Sequence, residues 1–277
     1  MGAALISFAA RRRRNMAWLG AAVAAIAAAY GAYRLTLHRA ELLTGWLLFA
    51  LVLVLALYNL RKRIAIYPLG AASAWLQLHV YLGLLAVAAF VAHTGAVWPH
   101  GILERLLVVS FVLVAATGVL GLYWSRRLPN RLTRRGEEVI FERIPGFIAR
   151  LRREAEEAVE MAAREAGSAT LADHYREHLA RYFAAPRNIL AHLHGAGGPN
   201  YALLNQLDAL KRHLDEKERV QHEKLRALVE KKEELDFHYA LQLALKAWLF
   251  VHVPLGGMLL MLIAVHLVSA LAFSGGL

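Results

Sequence analysis

Four histidines lie inside apolar stretches of this sequence, and their spacing is regular. His79 and His93 are 14 residues apart, and so are His252 and His266. In an α-helix this separation corresponds to about 21 Å of rise and about 40° of rotation, so both members of a pair lie on one helix face. Imidazoles from two facing helices can fill both axial positions of a haem iron. The spacing therefore predicts two haem sites at two depths.

The elements that carry these histidines are predicted to be membrane-spanning helices. The chain is 58% hydrophobic, with a mean hydropathy of +0.40, which is too apolar for an ordinary soluble enzyme. Five stretches have the roughly 20 residues needed to cross about 30 Å of hydrocarbon as α-helices. These stretches are Met16 to Leu37, Leu42 to Leu60, Ser73 to Trp98, Leu106 to Trp124 and Leu245 to Phe273.

The histidines are chemically isolated within these stretches. Between the polar ends of the five segments, the four histidines are the only His, Asp, Glu, Lys or Arg residues. Ionisable groups are costly in hydrocarbon and usually mark a functional site that faces the bundle interior. A bundle of hydrogen-bonded structural histidines is the simpler alternative, but two matched pairs favour ligation.

Helix direction predicts how the pairs combine. The third and fifth stretches are separated by one span, so they run parallel, and His79 should face His252 while His93 faces His266. Gly83 and Gly256 each follow the first histidine of a pair by four residues. A missing side chain one turn away would give a flat macrocycle room against the backbone, although glycine also serves close helix packing.

Basic clusters predict the orientation and the domain organisation. Arginine and lysine concentrate at residues 11–14, 61–63 and 126–135, against Arg34, Arg39 and Arg105 on the other side, which places the N-terminus in the cytoplasm. We expect a basic cytoplasmic N-terminus (1–15), spans one to four (16–124), a helical cytoplasmic region (125–244), and a fifth span with a short outer tail (245–277). Pro145, Pro186 and the loop at 195–199 should divide the cytoplasmic region into about three helices. The last of these, starting near Asn200, is expected to run straight into the fifth span.

The absence of cysteine restricts the redox chemistry. With no Cys in the chain, thiolate-held iron–sulfur clusters and thioether-attached haem are excluded. The net charge of +11 comes mostly from clusters beside apolar runs, which indicates topology rather than nucleic-acid binding. Any redox group must be non-covalent, and two haem b are the cofactors predicted.

The paired-histidine arrangement resembles two groups of dihaem membrane cytochromes. One is the cytochrome b of quinol-oxidising respiratory complexes, and the other is the transmembrane domain of ferric reductases and NADPH oxidases, in which the third and fifth spans supply the ligands. The resemblance covers residues 16–127 and 245–273. It implies an electron-transfer subunit of an oxidoreductase complex, with quinone as a candidate reactant and an iron–sulfur, flavin or cytochrome c type partner. No strand-flanked G-x-G-x-x-G is present, so NADPH oxidation by this chain itself is not expected.

Two other functional classes remain open at this stage. One is a non-redox scaffold that recruits a partner through its cytoplasmic helices, and the other is a metal transporter, although each predicted depth offers only two nitrogens. Six further histidines are interpreted as solvated or loop residues: His174, His178, His192 and His194 on the polar helices, and His38 and His100 in the outer loops. We expect a bacterial inner-membrane protein in contact with lipid.

Overall fold

The computed structural model describes residues 2–35, 40–63, 71–133, 139–166, 169–195 and 201–273, and within these ranges it contains helices and no strand. The prediction of an all-α protein is therefore confirmed. The helices are α1 (Gly2–Leu35), α2 (Ala40–Arg63), α3 (Ala72–Thr94), α4 (Ile102–Leu132), α5 (Ile144–Ala166), α6 (Thr170–His174), α7 (Ala180–Phe183), α8 (Ile189–His194), α9 (Tyr201–Leu210) and α10 (Glu216–Phe273). A π-helical turn, Tyr175–Leu179, joins α6 to α7.

The chain divides into two compact units. The apolar unit comprises Met1–Leu122 and Phe250–Leu277, and the charged unit comprises Tyr123–Leu249. Helices α4 and α10 contribute residues to both units.

Among the described residues, four helices are long and apolar enough to cross a membrane, judged by length and composition. They contain the candidate segments Arg13–Ala32, Ala72–Thr94, Ile102–Leu132 and Glu216–Phe273, whereas the second predicted span corresponds to a shorter apolar segment, Leu42–Tyr58. Its length is near the lower limit of about 17 residues for a spanning helix, so the number of five spans stays a prediction.

Many large apolar side chains of these helices are not covered by protein. Ile102, Phe250, Met261 and Val268 all expose more than half of their surface. In water such surfaces would be costly, whereas hydrocarbon satisfies them. This pattern is compatible with an integral membrane protein.

Small and aromatic residues bring α2, α3 and α4 together in the core of the apolar unit. Ala86 and Ala89 of α3 are almost completely buried beside Leu51 of α2. Small side chains let helix backbones approach closely where no hydrophobic effect drives association. The rings of Phe90 and Phe111 stack with 4.1 Å between centroids, which joins α3 to α4.

The charged unit has a conventional amphipathic core. Apolar residues of α5 recur every three or four positions, which places them on one helix face. The buried members of this face are Ile144, Ile148, Leu151, Ala155, Val159 and Ala162. They belong to one cluster with Leu225 and Val229 of α10.

The charged unit has more helices than the three or so predicted, since its described residues form α5 to α9 as well as the first part of α10. The last helix does run unbroken into the fifth apolar stretch, but it begins at Glu216 rather than near Asn200. A capping box explains this start, because the Glu218 carboxylate accepts a hydrogen bond of 3.2 Å from the backbone N–H of Asp215.

Candidate functional site

The rings of His79 and His252 lie near each other in the apolar unit. His79 lies on α3 and His252 on α10, and their ring centroids are 6.5 Å apart with an interplanar angle of 80°. The ring of Tyr58, on α2, lies 4.9 Å from the His79 ring at a tilt of 36°. Three helices therefore contribute to this inner cluster of Tyr58, His79 and His252.

The separation of the two imidazoles fits a shared metal centre. A metal–imidazole bond is about 2 Å and a ring nitrogen lies about 1 Å from its centroid, so two opposed axial imidazoles have centroids about 6 Å apart. The observed 6.5 Å is close to that value. Two neutral nitrogen ligands suit haem iron, whose remaining four positions are supplied by the macrocycle.

The two glycines beside this pair border open space. A methyl group built on Gly83 or on Gly256 would meet no heavy atom within 4 Å, apart from the helix's own nearby backbone. The helix surface at each of these glycines is thus open. The ring separation and this open space are the two observations that suit a haem at the inner pair, and the haem site itself stays a prediction.

A threonine on α4 determines which nitrogen of His252 can act as a ligand. The Thr117 hydroxyl lies 2.8 Å from the Leu113 carbonyl and 3.0 Å from the Val114 carbonyl, so its single hydrogen is donated to the backbone. Its oxygen also lies 2.9 Å from His252 Nδ1, and with the hydroxyl hydrogen on the backbone we assign the hydrogen of that bond to Nδ1. In a neutral imidazole this tautomer leaves Nε2 as the nitrogen with a lone pair for a metal.

His93 has a similar environment on α2. Its Nδ1 lies 3.2 Å from the hydroxyl of Thr44, a side chain that is almost completely buried. The neighbouring Gly45 admits the ring closely, since a Cβ built there would lie 3.0 Å from His93 Cε1. The outer histidine of α3 is therefore held by α2, the helix that also supplies Tyr58.

His266 is half-buried. Among the described residues it makes no hydrogen bond, ion pair or ring contact, and none connects it to His93. The pairing of His93 with His266 stays a prediction.

Two histidines of the charged unit are not solvated, and that interpretation was wrong for them. His174 is 9% exposed and His192 2% exposed, because α6 and α8 pack their inner faces against the unit's core. Burial lowers the pKa of His174, so its neutral form is favoured. His178, whose ring lies 4.8 Å from that of His174, is exposed as predicted.

Other candidate residues have structural contacts. Arg105 donates a hydrogen bond to the Pro99 carbonyl, which anchors the start of α4. Arg131, predicted only as a topology determinant, donates to the carbonyls of His192 and Leu193 at 2.6 and 2.8 Å and so caps the last turn of α8.

His38 lies outside the described residues. Within the described ranges no group of three or more His, Asp or Glu side chains could hold a metal ion.

The charged unit contains a completely buried ion pair on α10. Lys232 Nζ lies 2.7 and 2.5 Å from the two carboxylate oxygens of Asp236, and it also donates to the Ala185 carbonyl at 2.9 Å. Both side chains are fully buried. Desolvation raises the pKa of Asp236 to about 6 even though the ammonium opposes it. The same burial lowers the pKa of Lys232.

Thr44, Thr117 and Tyr58 are the residues of the site that the sequence did not single out. A polar residue followed by glycine within an apolar span was the available signal, since Thr44–Gly45 and Thr117–Gly118 both have this form. Sequence alone does not tell which helix neighbours which, so the target of each hydroxyl could not be assigned.

Comparison with known proteins gives no assignment. No protein-family model, curated protein or solved structure matches the chain.

Proposed function

We propose that this chain is a dihaem cytochrome b subunit of a membrane oxidoreductase complex. The observation that carries the proposal is the approach of His79 and His252 to 6.5 Å between α3 and α10. Support comes from the 2.9 Å contact of the Thr117 hydroxyl with His252 Nδ1 and from the open space beside Gly83 and Gly256. His93 and His266 would form the second site, 14 residues or about four helical turns further along the same two helices.

The protein would supply the histidine ligands of the haems and would keep substrate and oxygen away from the iron. Haem, when bound, supplies one-electron transfer. His79 and His252 would hold one haem and His93 and His266 the other, a ligand set that suits electron transfer rather than oxygen chemistry. The apolar helices provide the low dielectric around the ligands. Electrons would pass between a quinol or a cytoplasmic redox partner on one face and an acceptor on the other.

The charged unit is proposed as the docking surface for a partner subunit of iron–sulfur, flavin or cytochrome c type. We place it in the cytoplasm of a bacterial cell, with the apolar unit in the inner membrane, because the basic clusters at 11–14, 61–63 and 126–135 favour that orientation.

Haem content is the direct test. The detergent-purified full chain should show a reduced-minus-oxidised spectrum of low-spin haem b, with about two haems per chain in a pyridine haemochrome assay. H252G should lose one haem, and added imidazole should restore its low-spin spectrum, whereas H178G, at an exposed histidine of the charged unit, should keep both. A haem-free wild-type chain produced with adequate haem supply would refute the proposal and favour the scaffold function.

Transmembrane electron transfer needs a second measurement. In sealed liposomes that enclose ferricyanide, added dithionite, an anion that crosses lipid slowly, should reduce the enclosed acceptor rapidly only when the haem-loaded chain is present. The H93A variant should lose this activity. A wild-type chain that binds two haems yet leaves the enclosed acceptor oxidised would not be a transmembrane carrier.

A further inference from the structure

The two threonine contacts of the apolar unit share one local pattern. On α2, Thr44 contacts His93 Nδ1 and the next residue, Gly45, faces His93 Cε1. On α4, Thr117 contacts His252 Nδ1 and the next residue, Gly118, faces His252 Cε1. A Cβ added at Gly118 would lie 3.5 Å from that carbon.

We infer that these Thr-Gly dipeptides are ligand cradles: each holds one histidine by its Nδ1 and leaves room for the edge of its ring. The inference rests on the proposed function where it concerns haem, but the hydrogen-bond assignment itself does not. Residues 44–45 and 117–118 thus become positioning residues on helices that carry no ligand histidine.

The role of the threonine in each cradle follows from the hydrogen bonds that its hydroxyl can make, because it has one hydrogen to donate and an oxygen that can accept. A threonine in a helix donates its hydrogen to a carbonyl three or four residues earlier, as Thr117 does to Leu113 and Val114. Its oxygen is then an acceptor, so it selects the imidazole tautomer with hydrogen on Nδ1. An acceptor on that nitrogen also makes the opposite nitrogen a more basic ligand.

The glycine sets the ring position rather than its protonation. Gly45 lies closer to its histidine than Gly118 does, 3.0 against 3.5 Å from the added Cβ to Cε1. At 3.0 Å a side chain would have to displace the ring, whereas 3.5 Å is an ordinary van der Waals contact. The cradle on α2 is therefore the tighter of the two.

Variants of similar shape can distinguish the hydrogen bond of the threonine hydroxyl from the packing of its side chain. T117V removes the hydroxyl but keeps the shape, and T117S keeps the hydroxyl. We expect T117V to weaken binding of one haem by 10- to 100-fold and to move its midpoint potential to more positive values, because a less basic ligand stabilises oxidised iron less. T117S, which keeps the hydroxyl, should have the wild-type midpoint potential.

The second cradle provides the matched control. T44V should shift the potential and the low-spin electron paramagnetic resonance signal of the other haem and leave the first unchanged. If T117V and T44V alter neither potential, or if both alter the same haem, the cradle assignment is overturned while haem binding by the wild type still supports the proposed function.

The tautomer can be measured without haem. In the full chain labelled with ¹⁵N-histidine and purified free of haem, the His252 signal should report hydrogen on Nδ1, and T117V should remove that preference while T44V should not. A His252 with hydrogen on Nε2 in the wild type would overturn the inference even if haem is never found.

Discussion

The buried ion pair of Lys232 and Asp236 gives a charge-specific prediction for the charged unit. The variant K232M fills a similar volume but leaves Asp236 without its cation. Breaking a buried pair in this way costs about 3 to 5 kcal/mol, because an uncompensated charge remains in the interior. We therefore expect a loss of this size in the free energy of unfolding at pH 8.

The pH dependence distinguishes charge from packing. In the wild type the pKa of Asp236 is raised from its ordinary 3.8 to about 6, a difference of about 3 kcal/mol between its two protonation states. A carboxyl with a raised folded pKa favours folding when protonated, and this contribution is lost as the pH rises through the folded pKa. Without Lys232 that pKa should rise further, so K232M should recover stability when the pH falls from 8 to 5.

The expected result is a stability difference from wild type that narrows to about 1 kcal/mol at pH 5, the value of the lost hydrogen bond to the Ala185 carbonyl. Thermal unfolding of the detergent-purified chain, followed by circular dichroism, should show a midpoint lowered on the order of 10 °C at pH 8. The double variant K232M/D236L should lie near the wild type, since apolar replacements of buried pairs are often neutral. An equal loss for K232M at pH 5 and pH 8 would refute the electrostatic explanation.

Three further predictions concern single contacts. G45A, whose new Cβ would lie 3.0 Å from His93 Cε1, should reduce haem retention more than G118A, where the nearest histidine atom is at 3.5 Å; equal haem content in both, measured by pyridine haemochrome, would contradict this. H93A should lose one haem and keep the other, and retention of both would mean that the predicted pairing is wrong. R131A should lower the free energy of unfolding by about 1.5 to 3 kcal/mol, because the two hydrogen bonds from its charged guanidinium to the end of α8 are lost. The control R127A removes only an exposed contact with a tyrosine hydroxyl and should change the free energy of unfolding little.

The features that the sequence by itself determined are those that depend on residue type and on the spacing of residues along a single helix. The all-helical class, the apolar segments and the single-face placement of His79 with His93 follow from residue type and helix geometry, which need no neighbour. The span count predicted only that the helices of His79 and His252 run parallel; that α3 and α10 bring the two rings to 6.5 Å was decided by the tertiary structure. The capping box at Asp215 and Glu218 was also a local signal, and reading it would have placed the start of α10 correctly.

Packing between distant segments decided the rest. His174 and His192 look like surface residues in a charged sequence, yet the helices that carry them turn these side chains inward. Thr44 and Thr117 acquire their histidine partners from residues 49 and 135 positions away. A hydroxyl in an apolar helix always has its own backbone to bond, so its second partner depends on which helix lies beside it. Only the tertiary structure contains that information.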